Sequence, residues 1–152
     1  MCPDDQSHGA CPSPVKLMNM VNSPNPKSFV YTRKTLSRAE RALICSPFRL
    51  KLFRDMQSQS IPQGAIATVN GVQQGYTQVS LSGLRCDNAL GWLIEVGVLR
   101  REVDGQGITD RFRLTPLGHQ LVEKFAHQPW TTASWGDRLQ DAITRWLRLP
   151  SI

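Results

Sequence analysis

Three histidines, four cysteines and one Gly-x-Gly pair are the residues whose types could do catalytic or metal chemistry, and their spacing argues against it. His8, His119 and His127 stand apart from one another, and none has a carboxylate and a nucleophile at motif spacing. Cys2, Cys11, Cys45 and Cys86 match no Cys-x-x-Cys pattern, and Cys45 and Cys86 fall inside apolar helical stripes, where a thiol acts as a small hydrophobe. Gly105 and Gly107 in DGQGITD lack the following helix, third glycine or Lys-Ser/Thr pair of a phosphate loop, so they are read as hairpin turn residues. No enzymatic activity, metal or cofactor is expected.

The chemistry that remains is recognition of an anion. The net charge of +6 is unevenly spread. Residues 1–14 carry two acids and no base, residues 15–54 carry nine bases against Glu40, and residues 55–152 carry nine of each. A basic field of this kind favours an anionic partner, most often nucleic acid, although charge runs also occur as plain solvated surface. No apolar run of about 18 residues is present. The start MCPDDQSHGACPSP lacks the basic-then-apolar pattern of a secretory leader, so a cytoplasmic protein without a membrane span is expected.

The elements that must position any such recognition are clearest between Leu84 and Lys124. Ala89, Leu90, Leu93 and Ile94 recur at the three-and-four spacing of an amphipathic helix, and Gly97 supplies its left-handed cap. VLRREV and ITDRFRLT alternate as strands about the turn DGQG, with Phe112 and Leu114 on one face and Arg111 and Arg113 on the other. Thr115 and Pro116 open the next helix as cap and first-turn residues. Helix, hairpin, helix in that order is the signature of a winged helix.

Upstream, five prolines among residues 1–28 mark a flexible arm, and helices are expected near 35–45, 47–57 and 62–71, ahead of one at 80–96. Pro47 is read as the opening residue of the second of these. The hairpin is expected at 98–103 and 108–114, and helices at 116–127 and 136–148 close the chain. In the last of these, Leu139, Ala142, Ile143, Trp146 and Leu147 share one side and Arg138, Asp141, Arg145 and Arg148 the other. An amphipathic helix of this kind must lie either on its own body or on a second subunit.

The expected architecture is mainly α with a small β-hairpin: a winged helix-turn-helix with N- and C-terminal helical extensions. Its parts are an arm at 1–28, a winged-helix domain with leading helices at 29–128, and a linker with a C-terminal amphipathic helix at 129–152. FRLTPLGHQLV (Phe112 to Val122) resembles the closing strand and following helix of MarR-like and PadR-like bacterial regulators. LIEVGVLRRE (Leu93 to Glu102) resembles the end of their recognition helix and the start of their wing. Together these likenesses cover about residues 61–126. More closely still, the stretch from Phe29 to Lys124 resembles an uncharacterised family of small winged-helix proteins from photosynthetic bacteria.

The likeness to regulators implies double-stranded DNA as the partner and transcriptional control as the role. The third helix of the winged domain would enter the major groove, with Tyr76, Thr77, Gln78, Ser80, Arg85 and Asn88 as candidates at that helix and its entry. Arg100, Arg111 and Arg113 are the wing candidates for phosphate. A homodimer through the N- and C-terminal helices is expected, because two-fold pairing doubles the contacts. The alternative is a winged-helix module that binds another protein, for which Leu84 and Gly91 on the exposed helix face and the tryptophan-bearing end segment speak.

Overall fold

A computed structural model describes residues 30–128 and 133–147. The expected arm at 1–28, and with it Cys2, Cys11 and His8, lies outside the described residues, as does Trp130 in the linker.

The chain begins with α1 (Arg33–Ile44), capped by the Thr32 hydroxyl, which accepts from the Thr35 N–H. Pro47 does not open the second helix. Phe48 instead bridges Thr77, and the Arg49 N–H donates to the Tyr76 carbonyl at 2.8 Å. These contacts hold Phe48 and Arg49 extended after the bend at 46–47, so α2 starts only at Leu50 and runs to Ser58.

The expected helix at 62–71 is three pieces: strand β1 (Ile61–Pro62), a single turn α3 (Gln63–Ile66) and α4 (Thr68–Gln73). The break has a visible cause. The Thr68 N–H donates to the Leu81 carbonyl at 2.7 Å, and this long-range bridge holds Thr68 at φ +58°, a left-handed conformation that a β-branched residue adopts only under outside restraint. Ser82 then caps α5 (Gly83–Glu95), three residues later than the sequence pattern indicates, because Leu81 is committed to the bridge.

Gly97 ends this part of the chain at φ +83°, as the pattern requires. The hairpin follows as β2 (Leu99–Asp104) and β3 (Gly107–Leu114), with the Gln106 N–H bound to the Asp104 carboxylate at 2.8 Å in the turn. β1 adds to the free edge of β3 through Ile61 opposite Phe112, giving an antiparallel sheet in the order β1-β3-β2. α6 (Pro116–His127) starts at the Thr115 cap with proline in its first turn, and α7 (Trp135–Trp146) starts at a Ser134–Asp137 capping box. Helix, strand, three helices and a two-stranded wing, in this order and with this sheet, make a winged helix-turn-helix flanked by helical extensions.

One core serves all of it. Leu43 of α1, Leu52, Phe53 and Met56 of α2, Leu90 and Leu93 of α5, Leu99 and Phe112 of the sheet and Leu121 of α6 are fully buried together. Cys86 is buried within it and Cys45 is half-buried at its edge, both as free thiols.

α7 is the surprise. Its polar side faces the body. Asp141 is buried, accepting the Trp92 indole N–H at 3.1 Å and pairing with Arg145 at 3.0 Å. The Arg145 and Arg38 guanidinium groups stand 5.1 and 5.6 Å from the centre of the Trp92 ring. Arg38 of α1 is thus half-buried against α5.

Two outcomes follow from this packing. A Cβ at Gly71 would stand 2.0 Å from the Ile66 carbonyl oxygen, so Gly71→Ala must push α4 off α3 and is expected to cost about 1–3 kcal/mol in denaturant unfolding. Burial, reinforced by the neighbouring Asp87 carboxylate, pushes the Cys86 thiol up from its ordinary 9.0 to about 11. The folded chain therefore keeps a proton between those values that the unfolded chain releases, and stability falls as pH rises through that window. Urea unfolding of the wild type and of Cys86→Ala across that range checks this: the variant should show the shallower alkaline loss.

Candidate nucleic-acid interface

The wing is fixed to α5 by its inner face. Leu99 stands opposite Leu114 and Arg101 opposite Phe112, so both pairs point toward the helices. The Arg101 guanidinium lies 5.2 Å from the Phe112 ring centre, and its Nη2 donates to Asp87 Oδ1 at 2.9 Å. This contact reaches from the hairpin to the first half of α5. Beyond it the register shifts between Arg101 and Val103, and the tip exposes Val103 and Ile108 opposite one another.

On the outer face Arg100 stands directly opposite Arg113. Like charges so placed repel, and Glu102 offsets this with Oε1 2.7 Å from Arg113 Nε, an ion pair without hydrogen-bond alignment. Arg111 donates from Nε to the Ser60 hydroxyl and from Nη2 to the Ser60 carbonyl, both at 2.9 Å. Those acceptors are neutral, so the Arg111 charge is not cancelled by them.

α5 is buried on two adjacent sides. Cys86, Ala89, Leu90 and Leu93 enter the core, while Trp92 is covered by α1 and α7. What remains outward is a narrow ridge of Leu84, Asp87, Asn88, Gly91 and Glu95, on which Leu84 is 72% exposed. Arg85 projects to the side of that ridge. With Gln78 and Asn88 it lines a cavity of about 580 Å³ that Arg138 and Arg145 of α7 share.

Of the nine residues expected at the interface, Gln78, Ser80, Arg85, Asn88, Arg100 and Arg111 are exposed and Arg113 is half-buried. Tyr76 and Thr77 are buried, which corrects their assignment to a groove-facing surface. The Tyr76 hydroxyl donates to Asp55 Oδ2 at 3.0 Å, and Lys51 Nζ sits 4.7 Å from the ring centre. Burial, and then the bond to Asp55, raises its phenol above the ordinary 10.0. Both residues are held inward by the bridge to Phe48 and by their N–H groups, which donate to the Gly71 carbonyl at 2.8 and 3.1 Å.

Arg101 is the residue that sequence reasoning passed over. Strand alternation puts it on the apolar face beside Leu99, and an arginine on that face needs a carboxylate or an aromatic ring within reach; it has both. Among the described residues no group of three or more His, Cys, Asp or Glu is gathered as metal ligands would be, and no helix is long and apolar enough to cross a membrane.

Residues 29–145 match the Npun_F0494-like family, and the chain belongs to it. No curated protein and no solved structure matches the chain.

The Arg101–Asp87 pair is partly exposed at both ends, and pairs of that kind contribute little. A double-mutant cycle with Arg101→Ala and Asp87→Ala should return a coupling of about 0.2–1 kcal/mol. A coupling several times larger would show the pair holding the wing in place, rather than the burial of Leu99 and Phe112.

Proposed function

We propose that this member of the Npun_F0494-like family binds duplex DNA through the start of α5 and the β2–β3 hairpin, in transcriptional control. The observation that carries the reading is the seat of the hairpin beside the start of α5, where Leu99 and Phe112 are buried and Arg101 reaches Asp87. Arg100 and Arg111 have no carboxylate partner among the ion pairs of the described residues. Arg101 and Arg113 are engaged only in partly exposed pairs, which phosphate can replace at a cost of about 1 kcal/mol or less. Gln78, Ser80 and Asn88 supply neutral donors and acceptors for base edges, and Asn is suited to adenine. The surplus of bases on and just before α1 and α2, Arg33, Lys34, Arg41, Arg49 and Arg54, adds a longer-range attraction.

One observation favours a second reading, docking of another protein on the same face. The outward ridge of α5 carries the exposed Leu84 about one turn before Asp87, with Glu95 at its far end, and Val69 of α4 is exposed beside the α5 entry, a surface that fits an apolar and basic partner.

A salt series separates the two. Binding of a duplex selected from a random pool should weaken steeply as salt rises from about 50 to 200 mM, and Arg100→Ala should reduce the log–log slope by about one for any sequence. Asn88→Ala should instead relax the sequence preference and leave the slope in place. Absence of binding to any duplex at the lower salt concentration would remove the DNA reading and leave the protein-docking one.

A further inference from the structure

Among the described residues, α7 meets the body with its polar side and leaves its apolar side uncovered. Asp141 at its inner face is 8% exposed, whereas Trp135 and Trp146 are 80% and 78% exposed and Leu139 and Ile143 are about half exposed. At about 3.6 residues per turn, Trp135, Leu139, Ala142, Ile143 and Trp146 fall on one stripe, centred opposite Asp141. The sequence pattern reads this amphipathicity correctly. It does not foresee that the charged side is the docked one.

We infer that this stripe pairs with the same stripe of a second copy of the chain, α7 against α7, about a two-fold axis. Three features commit it to that occupant. The large residues run aromatic, aliphatic, aliphatic, aromatic from Trp135 through Leu139 and Ile143 to Trp146, the same series from either end, which is the self-complementarity an isologous contact needs. An antiparallel arrangement sets Trp135 against the partner's Trp146 end and opposes the two helix dipoles. No charged side chain lies on the stripe, so two copies meet without repulsion across it.

The area is of the right order. Tryptophans present about 150–250 Å² each, so two of them four-fifths exposed, with half of Leu139 and Ile143 and most of Leu147, amount to roughly 600 Å² per copy. A standard interface takes about 800 Å² from each partner, and neighbouring polar residues make up the difference. Two apolar edges also explain why α7 can be held to its own body by one buried hydrogen-bonded acid and a stacked arginine: the burial that normally fixes an amphipathic helix is supplied by the second copy. The expected homodimer thus draws on the C-terminal helix, while α1 turns Ala39, Ala42 and Leu43 into its own core. The inference does not depend on the DNA reading, and its test reads only mass.

Sedimentation velocity of the full chain at about 50 µM should give a dimer, since contacts of this size span micromolar and tighter affinities. Leu139→Glu with Ile143→Glu should weaken the association at least tenfold, with unchanged far-ultraviolet circular dichroism because both side chains are half exposed in the single copy. Trp135→Ala should weaken it in the same direction, as loss of an exposed aromatic anchor does. A monomeric wild type at that concentration overturns the pairing, whatever then covers the stripe. A dimer that survives the double glutamate variant overturns it equally, because another surface would then hold the two copies.

Discussion

The burial of Trp92 is the constraint from which most of this arrangement follows. It lies on α5 about a quarter turn away from the stripe that enters the core, so it can be covered only by elements outside the winged domain proper. An indole N–H removed from water needs an acceptor, and Asp141 of α7 is that acceptor. A carboxylate taken into the same place needs a cation, which Arg145 provides while stacking on the ring. Once Asp141 and Arg145 face inward, a helix of this sequence has no choice but to turn its tryptophans outward. The same burial narrows α5, leaving one thin ridge where an unencumbered helix would present half its circumference.

That geometry sets the electrostatic character of the winged face. Asp87 and Glu95 on the ridge, with Glu102 on the hairpin, answer most of the arginine charge nearby, so no strong positive field stands over α5 itself. In the proposed DNA complex, contact with phosphate would therefore proceed by exchange of partners. Ion pairs whose members are about a third exposed are worth little in water, and an arginine leaving such a carboxylate for a phosphate gives up little. Most of the net positive charge sits on and beside α1 and α2, where in the proposed reading it would support approach more than base recognition.

What could be read from the sequence was whatever is decided locally. α5, the hairpin and α6 are announced by stripe spacing, by Gly97 with its positive φ, by Asp104 in the turn and by the Thr115–Pro116 start, and each depends on residues within a few positions of one another. What could not be read depends on partners far along the chain. β1 is extended because Ile61 pairs with Phe112, and the same stretch taken alone fits a helix. The Thr68–Leu81 bridge splits that helix, and the Phe48–Thr77 bridge delays α2 and draws Tyr76 and Thr77 inward. In α7 the periodicity identifies two faces, but only the meeting of Asp141 with Trp92 decides which one is inside. Of the site, the exposed polar residues Gln78, Ser80 and Asn88 were legible as surface, whereas Arg101 was hidden because its neighbours in the strand are apolar.

Hydrogen exchange with mass-spectrometric readout, with and without a duplex taken from a selected pool at low salt, tests the central claim most directly. Exchange reports backbone protection along the whole chain, and so locates the contact without assuming it. The account predicts slowed exchange in residues 78–88 and 99–113 on addition of DNA, with residues 135–147 unchanged. Protection confined to 135–147, or none anywhere in the chain, would contradict it.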